Sequence, residues 1–221
     1  MFATTRIARA DFDDATLQPL YVLSNALMAE PYEHFAHHAR TNDELYVFRR
    51  GDELVGFQLW RAFGDAAQRY VLGGKLRIDP SARRHGLHLS AGLDVLAAQR
   101  RAFPAARITR LSIASLFGFV SIARRLAHFA FVDATAPTEH VEVIERCAAD
   151  SHYVFDRASG RVEVGIRMTA AQLEAYPAAY FESELGRAYI VRNPDYRDNG
   201  CYLAFAFEVD DANLAALARA A

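Results

Sequence analysis

The sequence has little of what announces a chemistry by itself. Its two cysteines, Cys147 and Cys201, stand too far apart in the chain for metal-ligand spacing or a dense disulfide framework. A reduced intracellular protein is the simple expectation, with one bridge as the alternative. Neither the H-E-x-x-H pattern of zinc hydrolases nor the G-x-S-x-G elbow of serine hydrolases occurs. No charge of one sign dominates: 25 Lys and Arg stand against 27 Asp and Glu, a net charge of -2, so no global field draws the chain to nucleic acid. No window approaches the ~18 apolar residues of a membrane span. The first residues, MFATTRIARADFDD, meet acids before any apolar run, unlike a signal peptide. Neither a membrane nor a nucleic-acid partner is expected, and the expected location is cytoplasmic. Internal repeats and low-complexity tracts are also missing.

What is present suits a globular fold. Hydrophobic residues make up 52% and charged residues 24%, enough apolar material to exclude wholesale disorder. The length allows one large domain, or a domain with a sizeable extension. Thr5–Ala8 suits a short strand. Asp11, Asp13 and Asp14 offer caps to a helix over Ala15–Leu27, and Pro31 suits the first turn of a helix over Tyr32–Arg40. Leu45–Phe48 and Leu54–Trp60 form a hairpin around Gly51-Asp52. Arg69–Asp79 is a third strand, in which Gly73-Gly74 predicts a bulge. Leu89, Leu93 and Leu96 mark a following helix. Ile108–Ala114 is a strand, Phe119–His128 a helix and Phe129–Ala134 a short strand, with a boundary near Pro137. Beyond it, Tyr153–Ile166 predicts a hairpin turning at Ser159-Gly160, and Thr169–Glu184 a helix. Ala188–Arg192 and Cys201–Val209 are predicted as strands around a loop at Asn193–Gly200, before a last helix capped by Asp210-Asp211. The expected division is a core over 1–134 and an extension over 135–221 that completes the sheet or forms a second lobe.

The run Leu76-Arg77-Ile78-Asp79-Pro80-Ser81-Ala82-Arg83-Arg84-His85-Gly86-Leu87 carries the strongest signal. A strand ends, a tight loop turns and a helix begins. Amides at a helix N-terminus point outward with partial positive charge and bind phosphate. Gly86 lets an anion approach the backbone, and Arg83 and Arg84 add charged donors. The bland alternative is a surface turn with a glycine for geometry and arginines for solubility.

The stretch from Leu45 to Ala134 resembles the GNAT superfamily of N-acetyltransferases. The hairpin Tyr46–Phe57 is similar to the family's second and third strands. Arg83 and Gly86 match its signature, an Arg or Gln, two residues, Gly, one residue, then Gly or Ala; His88 departs from the small residue usual at the end. The resemblance implies a mixed, largely antiparallel central sheet flanked by helices, an α/β (α+β) fold. It implies acetyl-CoA or another acyl-CoA as co-substrate, with the pyrophosphate on the amides of Arg83, Arg84, His85, Gly86, Leu87 and His88. The pantetheine arm would run along the strand ending at Leu76 and Ile78. The family's usual tyrosine, four residues before a Gly-Phe pair, falls here on Leu126, before Ala130-Phe131. The usual donor of a proton to the leaving thiolate is therefore missing from that place.

Other groupings have weaker claims. His34, His37 and His38 beside Glu30 and Glu33 have metal-compatible spacing, but a solvated helix face is the expected reading. Arg124-Arg125 offers either a CoA contact or an exposed face. Ser112 and Ser115 could relay a proton or simply bond the backbone. Among His128, Glu139, His140, Glu142 and Glu145, nothing singles out a general base. Tyr176, Tyr180, Phe181, Tyr189 and Tyr196 suit core packing or a substrate pocket. Tyr196 and Asp198, on the Asn193–Gly200 loop, are candidate contacts to a cationic acceptor.

Three functions follow from these residues. The first is an acyl-CoA-dependent N-acyltransferase, most simply an acetyltransferase, passing the acyl group to a small-molecule or peptide amine by direct attack. The second is a non-catalytic module of the same fold that holds acyl-CoA or another ligand. The third is an enzyme of that fold using an acyl-carrier protein. No catalytic residue and no metal site is assigned from sequence.

Overall fold

The computed structural model describes residues 1–166, Glu174 and 176–219. The fold is mixed α/β, with mainly antiparallel strands flanked by helices. The chain divides into two compact units, Met1–Arg110 with Glu208–Ala221, and Leu111–Phe207. Among the described residues no helix is long and apolar enough to cross a membrane.

In the first unit, β1 (Phe2–Ala8), β2 (Glu44–Arg50), β3 (Glu53–Gly64) and β4 (Gln68–Ile78) pair in order, all antiparallel. Gly51, at φ +60°, makes the β2–β3 turn foreseen at Gly51-Asp52. Helices α1 (Asp14–Leu27) and α2 (Tyr32–Arg40) cover one face of this sheet. Asp13 caps α1 by accepting from the Thr16 amide at 2.8 Å. Leu17, Leu20, Phe35 and Ala39 pack with Leu45, Val47, Phe57 and Leu59 of the strands. Period-2 alternation puts Tyr46, Phe48, Gln58 and Trp60 on the opposite face. There α3 (Leu87–Ala102) brings Gly92 close to the Trp60 ring. β5 (Arg107–Ala114) begins in this unit, where the Ile108 carbonyl accepts from the Val209 amide.

The second unit contains α4 (Leu116–Ala123), capped by Ser115, and a helix not foreseen from sequence, α5 (Thr138–Asp150). Val141, Val143, Ile144, Cys147 and Ala148 give α5 its buried stripe. Strands β6 (Ala130–Phe131), β7 (Val154–Asp156), β8 (Arg161–Glu163) and β9 (Cys201–Glu208) pair as β7–β8–β9, with β6 on β9. The predicted turn at Ser159-Gly160 forms, with Gly160 at φ +71°. The helix predicted over Thr169–Glu184 lies partly outside the described residues; its end forms the short α6 (Ala179–Glu182).

One predicted strand is overturned. Ala188–Arg192 is not a strand but the last part of α7 (Glu184–Arg192). Ser183 caps this helix by accepting from the Gly186 amide at 3.0 Å. The run Tyr189-Ile190-Val191 has the β-branched composition of a strand, yet Tyr189 is fully buried while Val191 is 79% exposed. The cap and one-sided burial outweigh local β-propensity. The last helix, α8 (Asp211–Ala218), forms as expected behind its Asp210 cap.

Candidate functional site

The bulge predicted at Gly73-Gly74 is present in β4. Gln58 pairs with Leu76 and Trp60 with Gly73, so Gly74 and Lys75 together oppose Leu59. The extra residue reverses the facing of the strand. Gly73 lies against Trp60 and the Arg110 guanidinium on the α3 side. Gly74 faces Asn42 at the end of α2, and a Cβ there would sit 2.6 Å from Asn42 Oδ1 and 3.0 Å from Leu59 Cβ. Only glycine fits this approach. Beside the bulge, the Gln58 Oε1 and Trp60 Nε1 atoms are buried with no hydrogen-bond partner among the described residues.

Beyond Ile78 the chain makes one short 3-10 turn, Pro80–Ala82, capped by Asp79, whose carboxylate accepts from the Ser81 amide at 2.8 Å. Arg83 then extends, and its Nε donates to the Ile78 carbonyl at 3.3 Å, closing the loop on the strand end. Arg84 takes φ +71°, a left-handed conformation costly for a residue with a Cβ. Gly86 takes φ +69° and opens α3. No side chain caps the N-terminus of α3, and no acid lies in its first turn. The first amides of this 16-residue helix therefore keep their partial positive charge uncompensated by a side-chain cap or an acid. Arg84 and His85 are exposed, and the His85 ring packs on Phe2 at 4.7 Å. Leu76 and Ile78 are half-buried, their side chains on the face opposite Lys75 and Arg77.

Sequence reasoning missed a charged cluster on the α1–α2 face of β4. Glu30, in the α1–α2 connection, has a side chain only 1% exposed. Its carboxylate accepts from Lys75 Nζ at 2.7 Å and from Ser24 Oγ at 3.0 Å, and His34 Nδ1 lies 3.2 Å away. Ser24 Oγ in turn accepts from Arg77 Nε at 3.2 Å, and Arg77 Nη2 stands 3.9 Å from Glu30. Burial pushes the Glu30 carboxyl up, but Lys75 and Arg77 outweigh it and leave it below the usual range. Burial and the neighbouring Arg77 bring the Lys75 ammonium down to about 8, against the pull of Glu30. His38 is also buried, not on a solvated face as expected, and burial with Lys75 and Arg77 nearby holds its imidazole well below its ordinary value. Among the described residues no group of side chains is arranged to hold a metal ion.

The other candidates lie in the second unit. Leu126 is half-buried in the turn after α4, its amide bonded to the Ala123 carbonyl. Ser112 Oγ is buried with no hydrogen-bond partner among the described residues, while Ser115 serves as the α4 cap. Arg124 is exposed with its guanidinium over the Tyr180 ring. Tyr176 stacks on Phe117 at 3.5 Å, with Tyr180 and Phe181 around the same ring. The Tyr189 hydroxyl donates to the Ala114 carbonyl at 3.0 Å, and burial raises its pKa. Tyr196 packs edge-on to Tyr189 and accepts from Arg197, and Asp198 is exposed. Asn193 ties the base of their loop by donating to the Cys201 carbonyl and accepting from Asn199.

Neither the protein-family models nor the curated proteins contain a match to the sequence. Among solved structures, the chain is similar to a ribosomal-protein-alanine N-acetyltransferase from Brucella melitensis, at 18% identity over 52% of this chain and 80% of that one, TM-score 0.37. It is similar to a GNAT family acetyltransferase from Elizabethkingia anophelis solved with acetyl-CoA bound, at 10% identity over 59% and 80%, TM-score 0.37. It is also similar to an IAA acetyltransferase from Bacillus cereus, at 8% identity over 95% and 100%, TM-score 0.42.

Proposed function

We propose that the protein is an acyl-CoA-dependent N-acyltransferase whose co-substrate lies along β4 and over the Arg83–His88 loop. The observation that carries this reading is the uncapped, acid-free N-terminus of α3. It is entered through left-handed Arg84 and Gly86, directly after a bulged strand. The pyrophosphate would take the amides from Arg83 to His88, with Arg83 and Arg84 as charged donors. The backbone of Leu76 and Ile78, past the bulge, would pair with the amide groups of the pantetheine arm.

A thioester is already activated, so the chain needs no nucleophile of its own. The acceptor nitrogen, once neutral, attacks the thioester carbonyl; the C–N bond forms, the C–S bond breaks and the thiolate of CoA leaves. Backbone donors beside the carbonyl stabilise the tetrahedral oxyanion. With Leu126 in place of a tyrosine, the thiolate takes its proton from another group or from water. Leu126 also supports the second reading, a module that holds acyl-CoA without transfer. Calorimetry with CoA and acetyl-CoA, followed by thiol release across an amine library, tests both. Binding with release supports the transferase, binding without release supports the module, and no binding refutes the placement.

A further inference from the structure

We infer that the substrate carries a carboxylate, and that Arg77, with Lys75, receives it on the α1–α2 face of β4. This rests on the acyl-CoA reading above. One buried carboxylate, Glu30, faces two buried cations there, so the cluster keeps an excess positive charge. Burying an unbalanced charge is costly, and an anionic ligand would offset that cost.

The hydrogen bonds show which cation is open to the ligand. Lys75 Nζ is committed to Glu30 at 2.7 Å, and burial, then the neighbouring Arg77, lower its pKa to about 8. Arg77 uses Nε on Ser24 Oγ and Nη1 on the Leu76 carbonyl, while Nη2 stays 3.9 Å from Glu30, beyond hydrogen-bond length. A guanidinium with a side chain 9% exposed and donors to spare is suited to a planar carboxylate. Arg77 is also on the strand assigned to the pantetheine arm, one residue before Ile78, so a carboxylate bound there belongs to a reacting molecule. It comes either from the acceptor, as in an amino acid, or from the acyl chain, as in a dicarboxylic acyl-CoA.

The test separates these sources. Thiol release from acetyl-CoA is measured with matched acceptors, each amino acid against its own α-amide, and calorimetry compares succinyl-CoA with acetyl-CoA. The expected result is a preference for the carboxylate-bearing partner in one arm, of roughly ten- to a hundredfold, the range for a hydrogen bond to a charged group. Arg77→Gln should abolish that preference, and Arg77→Lys should restore part of it, in variants that still bind CoA. If Arg77→Gln does not fold, the wild-type comparison still decides. No preference in either arm, or a preference that survives in folded Arg77→Gln, overturns the inference and leaves the CoA placement standing. No CoA binding by the wild type overturns both.

Discussion

Replacing Glu30 by glutamine tests the buried cluster most sharply, because its effect should depend on pH in a calculable way. The amide keeps the shape and the Ser24 contact but leaves Lys75 beside Arg77 with no anion. Lys75 can then be buried neutral. In the wild type its folded value of about 8 lies below the unfolded 10.5, so the unfolded state holds the proton more tightly. Stability from this group therefore rises with pH between about 8 and 10.5. Without Glu30 the folded value drops further, and the rising limb starts at lower pH. Each pH unit is worth about 1.4 kcal/mol. The pH-dependent loss relative to wild type then reaches up to about 2 kcal/mol at pH 6.5, up to about 1.4 at pH 7 and near zero at pH 9. If Lys75 instead stays charged, the loss approaches the ~3–5 kcal/mol of a broken buried pair at low pH. Trp60, the single tryptophan, is buried in the same unit, so its fluorescence during denaturant unfolding reports the change. Subtracting the two proteins at each pH largely removes shared titrations such as that of His38. A loss that stays flat from pH 6.5 to 9 would mean that Lys75 does not respond to Glu30, and would refute the reasoning.

Gly86→Val places a branched side chain at φ +69° where the anion approaches; CoA affinity by calorimetry should fall at least about tenfold in a folded variant, and unchanged affinity would remove the loop from the site. Gly74→Ala should destabilise the protein by about 1–3 kcal/mol, because the new Cβ meets Asn42, whose side chain is tied to the His38 carbonyl; an unchanged denaturation midpoint counts against a close-packed bulge. Leu126→Tyr should raise the rate of thiol release if residue 126 faces the thiolate, and a CoA complex with its sulfur far from residue 126 would refute that alignment.

The parts legible in the sequence are those whose signals are local. Gly51-Asp52 sets the first hairpin, Asp13 and Asp210 cap their helices, and Gly73-Gly74 marks the bulge, because each needs only a few neighbouring residues. The Asp79–Leu87 run is legible for the same reason: strand end, proline, left-handed glycine and helix follow without interruption. Helix α7 was misread where local composition and tertiary burial disagree. Its Tyr-Ile-Val run favours a strand, and the exposed Val191 that argues against one is visible only after folding. Ser183, three residues before Gly186, was the available signal.

The charged cluster was illegible for a deeper reason. Lys75 and Arg77 alternate along a strand with Leu76 and Ile78, and a charged-apolar alternation ordinarily marks the charged side as the solvent face. The structure inverts that rule, because α1 and α2 cover the charged side and supply Glu30 from 45 residues earlier in the chain. The bulge contributes to the inversion. Without it, Gly73 and Lys75 would share a face; with it, Gly73 stays with Trp60 while Lys75 turns toward the helices. Within a few residues, then, β4 carries both the bulge and the two buried cations. A substitution that removes the bulge should disturb both, whereas Glu30→Gln should disturb only the charges.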